Sequence, residues 1–288
     1  MEYHLEVIIM KLYKMILATT IFSIILLSCS TVKNNPPKIV STAFTYLTTH
    51  VLVQVCGETN SHGYRCLDMD PNRFSASGSV IKHHKNNSYI LTAAHFCTID
   101  EMQVMKSAVN PALIEAAFKD VKDVKLRLLI EVLDGNDVTR IGKVVASNSL
   151  LDVCIIETDK IDTEVLKLAP SPPKYGETLW NMASPLGIVL PGTAPVLKGV
   201  FSGSVKMGSR TSYVITDLPA VHGCSGSPLL NYRGELVGMI YSTNQYFKEM
   251  SFAVRLEDIR KYLDKVFLDD EHISNGNTTL EVIEPDYE

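Results

Sequence analysis

Apolar and polar residues alternate along most of this chain in the way that half-buried β-strands require. Runs with a two-residue period, or short runs of apolar β-branched residues, recur between turn residues, and such runs predict strands. The predicted strands fall into two groups. The first comprises Val51–Val55, Ser79–Ile81, Tyr89–Thr92, Leu126–Leu133 and Arg140–Ala146, and the second comprises Leu179–Ala183, Val196–Phe201, Tyr213–Thr216, Pro228–Asn231 and Leu236–Tyr241.

Three further segments complete the expected elements. Asp134-Gly135-Asn136 lies between two apolar runs and predicts a hairpin turn. Pro111–Val121 begins with a proline, has apolar residues on one helical face, and predicts a short helical insertion. Leu256–Phe267 carries Ile259 and Leu263 at helical spacing and predicts a C-terminal helix. The pattern therefore predicts an all-β chain with two small helical additions.

Composition narrows the functional classes. The chain has 288 residues, of which 46% are hydrophobic, so it can bury a large core. Its formal net charge is -5, and no basic cluster interleaved with aromatic residues occurs, which argues against nucleic acid as a partner.

The N-terminal region has the layout of a secretory signal. Lys11 and Lys14 precede the 13-residue apolar run Met15–Leu27, which is shorter than the roughly 20 residues that span a bilayer. Leu26-Leu27-Ser28-Cys29 resembles a bacterial lipobox, in which the cysteine is lipidated. We therefore predict a signal peptide over residues 1–28 and a lipid anchor on Cys29 in the cell envelope, outside the cytoplasm. An uncleaved N-terminal anchor is the alternative.

Two polar segments flank the predicted globular region. Residues 29–39 contain Asn34-Asn35-Pro36-Pro37 and read as a tether that follows the lipidated cysteine. Residues 268–288 contain seven acidic residues and no lysine or arginine, and they predict a disordered acidic tail. We therefore expect the folded domain to span residues 40–267.

Candidate chemistry is concentrated in Gly223-Cys224-Ser225-Gly226-Ser227-Pro228. A serine hydroxyl is a weak nucleophile at neutral pH and needs both a base and a pocket that stabilises an anion. Two upstream segments supply partners of the right kind. Thr92-Ala93-Ala94-His95 ends an apolar run with a histidine, and Asp152 stands at the head of the apolar run Val153-Cys154-Ile155-Ile156.

These three segments resemble, in this order, the signature blocks of trypsin-like (chymotrypsin-fold) serine proteases. Other segments are similar to the HtrA-type and glutamyl-endopeptidase-type bacterial branches: Phe74–Ile81, Tyr175-Gly176-Glu177, Ala183–Gly187, Lys198–Gly203, Thr216-Asp217, Gly234–Ile240 and Ser251–Val254. The resemblance implies two six-stranded antiparallel β-barrels with a C-terminal helix. No segment of PDZ-domain length follows the protease region, so a protease domain without a PDZ domain is expected.

The resemblance also implies a role for each residue of the site. His95 would act as general base and acid, Asp152 would orient its imidazole, and Ser225 would attack the scissile carbonyl. The backbone N–H groups of Gly223 and Ser225 would form the oxyanion hole. The expected activity is serine endopeptidase cleavage of a polypeptide without a cofactor.

Substrate recognition is less specific in the sequence. By resemblance, Tyr241, Ser242 and Thr243 would offer backbone groups to an extended peptide. Pro219 stands where trypsin has an aspartate, so a preference for basic residues is not expected. His222 leaves open an acidic preference, beside the favoured small or medium apolar one.

Five cysteines remain if Cys29 is lipidated, and this odd number leaves at least one thiol. Cys56 and Cys66 flank a short polar loop, and outside the cytosol they could form a local disulfide. Cys97 has no partner near Ile81, and Cys154 reads as a small buried apolar residue. Two histidine and cysteine groupings have poor spacing for zinc, so no metal is expected; they are Cys56, His62 and Cys66, and His83, His84, His95 and Cys97.

Two alternatives from other functional classes stay open. One is a catalytically inactive protease fold that serves as a binding or scaffold protein, because sequence alone does not show that the oxyanion loop forms. The other is an esterase, which is disfavoured because Ser227 occupies the place of the last glycine in a Gly-x-Ser-x-Gly elbow.

Overall fold

A computed structural model describes residues 43–59, 63–69, 72–98, 114, 117–188 and 194–268. The described residues form two antiparallel sheets in succession along the chain. The first sheet contains β1 (Phe44–Thr59), β2 (Tyr64–Asp68), β3 (Asn72–His84), β4 (Asn87–Thr92), β5 (Phe118–Asp134), β6 (Thr139–Asn148) and β7 (Val153–Asp159). The second contains β8 (Thr178–Met182), β9 (Val196–Met207), β10 (Arg210–Thr216), β11 (Pro228–Leu230), β12 (Leu236–Thr243) and β13 (Met250–Arg255).

The second sheet closes into a six-stranded barrel in the order β10-β13-β12-β11-β8-β9. In the first sheet the order is β2-β1-β3-β4-β7-β6-β5, and β1 also pairs with β5. Starting at β1, the pairings run through β3, β4, β7, β6 and β5 and back to β1, so these six strands form a ring. Strand β2 pairs with β1 outside this ring. The predicted all-β architecture of two antiparallel barrels agrees with this topology. Each predicted strand coincides with an observed one, except that Ala183 and Asn231 lie one residue beyond the ends of β8 and β11. Strands β2 and β13 were not predicted, and β7 begins with the apolar run that follows Asp152.

Local sequence explains the turns and the helices. In the predicted hairpin, Asp134 Oδ1 accepts hydrogen bonds from the backbone N–H groups of Asn136 and Val138, both at 2.9 Å, which closes the turn between β5 and β6. A short helix α1 (Ala94–Cys97) follows β4, and the C-terminal helix α2 (Leu256–Leu268) follows β13 as predicted.

The predicted helical insertion is only partly correct. Ile114 and Ala117 are helical, but Phe118–Val121 belong to β5. Their backbones pair with the end of β1, where Thr59 lies opposite Phe118 and Gly57 opposite Val121. A long cross-strand ladder therefore overrides the helical spacing of this segment. The rest of Pro111–Val121 lies outside the described residues.

The largest hydrophobic cluster joins the two sheets and α2. It contains Leu91 and Val153 from the first sheet, Leu230 and Met239 from the second, and Ile259 from the helix. Burial of these side chains is the main favourable contribution to folding. Because the cluster crosses the boundary between the sheets, it fixes the loops that meet at that boundary, including those with His95, Asp152 and Ser225.

Candidate active site

His95 and Asp152 form a close pair at one edge of the first sheet. His95 lies in α1, directly after β4, and Asp152 lies in the turn before β7. The ring Nδ1–H of His95 donates to Asp152 Oδ2 at 2.9 Å and to Oδ1 at 3.1 Å, and the backbone N–H of His95 donates to Oδ1 at 2.9 Å. A carboxylate can only accept, so these contacts put the imidazole proton on Nδ1 and leave Nε2 as a proton acceptor.

The His95 side chain is much more exposed to solvent than the Asp152 side chain. The His95 side chain is 50% exposed and that of Asp152 is 12% exposed. Asp152 is thereby shielded from water while the outer face of the imidazole stays accessible. Asp152 also has a φ of 60°, a backbone conformation that is uncommon for non-glycine residues and which Asp tolerates better than most.

Ser225 lies in the turn between β10 and β11 and lines the same cavity as His95. This cavity has a volume of about 600 Å³. Neither Ser225 Oγ nor His95 Nε2 has a hydrogen-bond partner within the described part of the chain, so both atoms are free to interact with a bound molecule.

The turn around Ser225 orients two backbone N–H groups. The carbonyl of His222 accepts from the N–H of Leu186 at 2.7 Å, and the carbonyl of Cys224 accepts from the N–H of Ser227 at 3.0 Å. In a trans peptide the carbonyl and the following N–H point in opposite directions. The N–H groups of Gly223 and Ser225 therefore point away from those donors, and both residues line the cavity.

Two buried serines hold this turn from behind. Ser77 Oγ donates to the Gly223 carbonyl at 2.7 Å, and it accepts from the backbone N–H of Ser184 at 3.0 Å. The N–H of Ser77 also donates to the Ser225 carbonyl at 2.8 Å. Ser77 lies in β3 of the first sheet and Ser184 lies in the loop after β8 of the second, and both are fully buried. Both serines lie in segments that resemble the protease family, but nothing in a local sequence pattern reveals this contact.

Gly223 is the residue that this arrangement requires. Its φ is +93°, and a Cβ at this position would lie 2.2 Å from the Ser184 carbonyl oxygen. An L-residue would therefore suffer both backbone strain and a collision with backbone that cannot move aside cheaply. The predicted oxyanion turn thus depends on a glycine for a reason visible in its packing.

The predicted substrate-binding residues lie in different environments. His222 is exposed and lines the cavity with Ser225, whereas Pro219 is exposed at the surface. The Tyr241 side chain is buried, and its hydroxyl lies 2.9 Å from Ser212 Oγ. Ser242 is exposed, and Thr243 Oγ1 donates to the Met250 carbonyl at 3.1 Å. Tyr241 can therefore contribute backbone rather than side chain to a ligand.

The cysteines pair in two disulfides. Cys56 bonds to Cys66, as anticipated, and Cys97 bonds to Cys154. The interpretation of Cys154 as an unpaired apolar residue was wrong, because the pairing of β4 with β7 sets Thr92 opposite Cys154 and so brings α1 close to β7. Cys224 is a free, buried thiol whose pKa is raised by burial, so it stays protonated and unreactive.

The predicted signal peptide (residues 1–28), Cys29 and the tether (residues 29–39) lie outside the described residues, as does the acidic tail beyond Leu268. Among the helices that the structure describes, none is long and apolar enough to cross a membrane.

Comparison with known proteins places the chain in a family. The family described as "Trypsin-like peptidase domain" matches residues 76–239, more than half of the chain. The chain is 28% identical over 206 residues to "Serine protease Do-like HtrA" of Bacillus subtilis, covering 67% of this chain and 39% of that protein. It is 28% identical over 134 residues to "Probable periplasmic serine endoprotease DegP-like" of Pseudomonas fluorescens, covering 45% of this chain and 28% of that one. The chain thus matches well under half the length of these two relatives.

Solved structures support the same fold at low sequence identity. A serine endoprotease from Yersinia pestis superposes with a TM-score of 0.51 at 18% identity, covering 80% of this chain and 65% of that one. A protease of M. tuberculosis in its active form gives a TM-score of 0.52 at 16% identity, covering 79% and 82% of the two chains. Together with the matched residues 76–239, the two-barrel topology leads to one conclusion: this chain belongs to the trypsin-like peptidase domain family.

Proposed function

We propose that this protein is a serine endopeptidase that hydrolyses peptide bonds through Ser225, His95 and Asp152. The observation that carries the proposal is the cavity that His95 and Ser225 share, with the Asp152 carboxylate bonded to the far side of the imidazole at 2.9 Å. A nucleophile, a base and an orienting carboxylate are the three parts that acyl transfer by serine requires.

The reaction follows from these positions. Ser225 Oγ attacks the scissile carbonyl carbon while His95 Nε2 takes the hydroxyl proton, and Asp152 stabilises the imidazolium that results. The carbonyl oxygen becomes an anion that accepts hydrogen bonds from the N–H groups of Gly223 and Ser225. Loss of one such donor typically lowers the rate by about 10²–10³.

Collapse of this intermediate breaks the C–N bond, and His95 gives its proton to the leaving amine. Water then attacks the ester on Ser225 by the same route, releasing the acid and restoring the enzyme.

The acyl half of the substrate has a strand edge available to it. β11 pairs only with the Leu236–Met239 part of β12, whereas β13 pairs with β12 as far as Thr243. The edge of Tyr241–Thr243 opposite β13 therefore carries backbone groups to which an extended peptide can add as a strand.

Pro219 supplies no negative charge, which supports substrates other than those with a basic residue before the scissile bond.

We also propose that the enzyme acts outside the cytoplasm, held at a membrane surface by lipid on Cys29. The support is the lipobox-like Leu26-Leu27-Ser28-Cys29 in the sequence and the two disulfides, which persist in oxidising compartments. Mass spectrometry of the N-terminus with and without globomycin tests this location. An unmodified Cys29 in a chain that still begins at Met1, Met10 or Met15 would contradict it.

A fluorophosphonate probe tests the activity directly. It should label the wild-type protein on Ser225 and fail to label Ser225→Ala, while the matched control Ser202→Ala, at an exposed serine away from the cavity, should label normally. Absence of labelling in a folded wild-type sample would overturn the hydrolase proposal and favour a binding or scaffold role. Cleavage of esters without cleavage of peptides would favour an esterase.

A further inference from the structure

The cavity extends well beyond the reactive groups. Besides Ser225, His95 and His222, its walls come from β1, β3 and β5 of the first barrel and from α1. A volume of about 600 Å³ lies within the range of small-ligand sites. This is far more space than attack on one carbonyl needs, so the remainder is available to a further part of the substrate.

The position of His95 identifies which part that is. His95 protonates the leaving amine, so the leaving half of the substrate lies on its side of Ser225. The acyl half lies along Tyr241–Thr243, and these residues do not line the cavity. The cavity within the first barrel therefore faces the residues that follow the scissile bond.

A free strand edge leads into this cavity. β4 pairs only with the Ser79–His84 part of β3, so the Arg73–Ser77 part has a strand partner on the β1 side alone. The N–H of Ser77 points away from β1 and bonds to the Ser225 carbonyl. Backbone groups two and four residues earlier, on Ser75 and Arg73, point the same way because strand geometry repeats every two residues.

The walls of the cavity are mainly apolar. Phe74 is 46% exposed and Leu128 is half-buried, and the buried residues Val51 and Phe96 also line the cavity. Among the lining residues that the structure describes, Arg73 carries the one permanent charge and none is a carboxylate. Such a surface favours a bulky apolar side chain and disfavours a basic one.

We propose that the substrate segment following the scissile bond binds along the Arg73–Ser75 edge and places a large apolar side chain, such as leucine or phenylalanine, in this cavity. The inference rests on the proposed peptidase function and assigns it a selectivity on the leaving side. One methylene in an apolar pocket changes selectivity by about 10–200-fold, so the effect is measurable in cleavage rates.

The test uses internally quenched peptides that share one acyl half and differ at the two residues after the scissile bond. A methyl ester of the same acyl half reports on the catalytic groups without filling the cavity. We expect kcat/KM to be at least about tenfold higher for phenylalanine or leucine than for serine at one of the two positions, and lowest for lysine. Phe74→Ala should reduce the phenylalanine-to-serine ratio at least about threefold, and Phe74→Glu should raise cleavage of the lysine peptides.

Ile141→Ala is the matched control, because Ile141 is an exposed apolar strand residue, 60% exposed, on β6 and outside the cavity. It should leave every ratio unchanged. Peptides that are cleaved at rates independent of these two residues, or ratios that Phe74→Ala does not alter, would overturn the leaving-side proposal while the peptidase function stands. Failure of both the ester and the peptides to react, together with no fluorophosphonate labelling, would overturn the function itself.

Discussion

The buried hydroxyl groups of Ser77 and Ser184 hold the turn before Ser225 in place. The Gly223 carbonyl accepts from Ser77 Oγ at 2.7 Å and from Ser184 Oγ at 3.3 Å, while the neighbouring His222 and Cys224 carbonyls accept from backbone N–H groups. Carbonyls fixed in this way cannot rotate towards the cavity, so the Gly223 and Ser225 N–H groups stay available for an anion. We therefore expect Ser77 to act as a positioning residue for the proposed oxyanion turn.

Ser77→Ala should lower kcat about tenfold with little change in KM. It leaves the Gly223 carbonyl with only the longer bond from Ser184 Oγ, and it leaves the Ser184 N–H without its partner, at a cost of about 1–3 kcal/mol. The rate of fluorophosphonate labelling, which needs the anion pocket, should fall more than the rate of His95 alkylation by a peptidyl chloromethyl ketone. Ser79→Ala is the control on the same strand, since Ser79 Oγ is buried without a partner among the described residues. Equal losses in both variants would show a merely structural role.

Asp152→Asn should reduce kcat by about 10⁴-fold while the protein remains folded. An asparagine NH₂ group facing Nδ1 favours the imidazole tautomer with its proton on Nε2, and that tautomer cannot accept the Ser225 proton. Steady-state kinetics on a cleaved library peptide measures the loss, and circular dichroism checks the fold. Retention of more than a tenth of wild-type kcat would show that Asp152 does not orient His95.

The candidate residues His95, Asp152 and Ser225 could be proposed from the sequence because each lies in a short block with its own signature. His95 follows two alanines after an apolar strand, and Ser225 lies between glycines. Ser77 is different, because its role arises where three distant segments meet and no local pattern encodes that meeting. Short sequence blocks thus suggest the candidate catalytic residues, whereas they do not show the hydrogen bonds that hold the turn around Ser225.

At the scale of elements, a disulfide ties together the two segments that carry His95 and Asp152. Cys97 lies two residues after His95, and Cys154 lies two residues after Asp152. The bond therefore crosslinks α1 to β7 beside the imidazole–carboxylate pair. Sequence spacing alone did not reveal it, since the cysteines are 57 residues apart and meet through the pairing of β4 with β7.

Removing this bond should cost more stability than removing the other one. By chain entropy, a loop of 57 residues contributes roughly 4 kcal/mol and a loop of 10 residues roughly 3 kcal/mol. Urea unfolding of Cys97→Ala/Cys154→Ala should therefore show the larger loss in free energy of unfolding, and Cys56→Ala/Cys66→Ala the smaller. Activity should fall mainly in the first variant. The reverse order of stabilities would contradict this account of the two bonds.

Helix α2 carries a buried phenol, Tyr262, which we expect to lower the free energy of unfolding at alkaline pH. Burial raises the pKa of Tyr262 above its ordinary value of 10.0, and its hydroxyl has no partner within the described part of the chain. The neutral form is thus favoured in the folded state, so stability is fully present below about pH 10 and is lost as pH rises above it. Tyr262→Phe should flatten this decline in urea titrations between pH 8 and about 11. An unchanged pH slope would contradict it.

At the scale of the whole molecule, the proposed reaction needs both barrels. His95 and Asp152 come from the first, Ser225 comes from the second, and the core cluster of Leu91, Met239 and Ile259 joins them through α2. The sequence blocks and the strand pattern predicted the two-barrel fold class. They did not predict the extra strand β2 or the start of β5, because both depend on long-range pairing with the end of β1.

This shared core predicts that the two barrels unfold together. Trp180, the single tryptophan of the chain, lies in β8 of the second barrel, whereas Leu91 is fully buried in β4 of the first. Leu91→Ala should destabilise the protein by about 2–5 kcal/mol and lower the urea midpoints of Trp180 fluorescence, far-UV circular dichroism and fluorophosphonate labelling by the same amount. Ile141→Ala, at an exposed position of the first barrel, should shift none of them. A Trp180 midpoint that stays in place while the circular dichroism midpoint falls would mean that the barrels unfold independently, and that Ser225 is held in its turn without support from the first barrel.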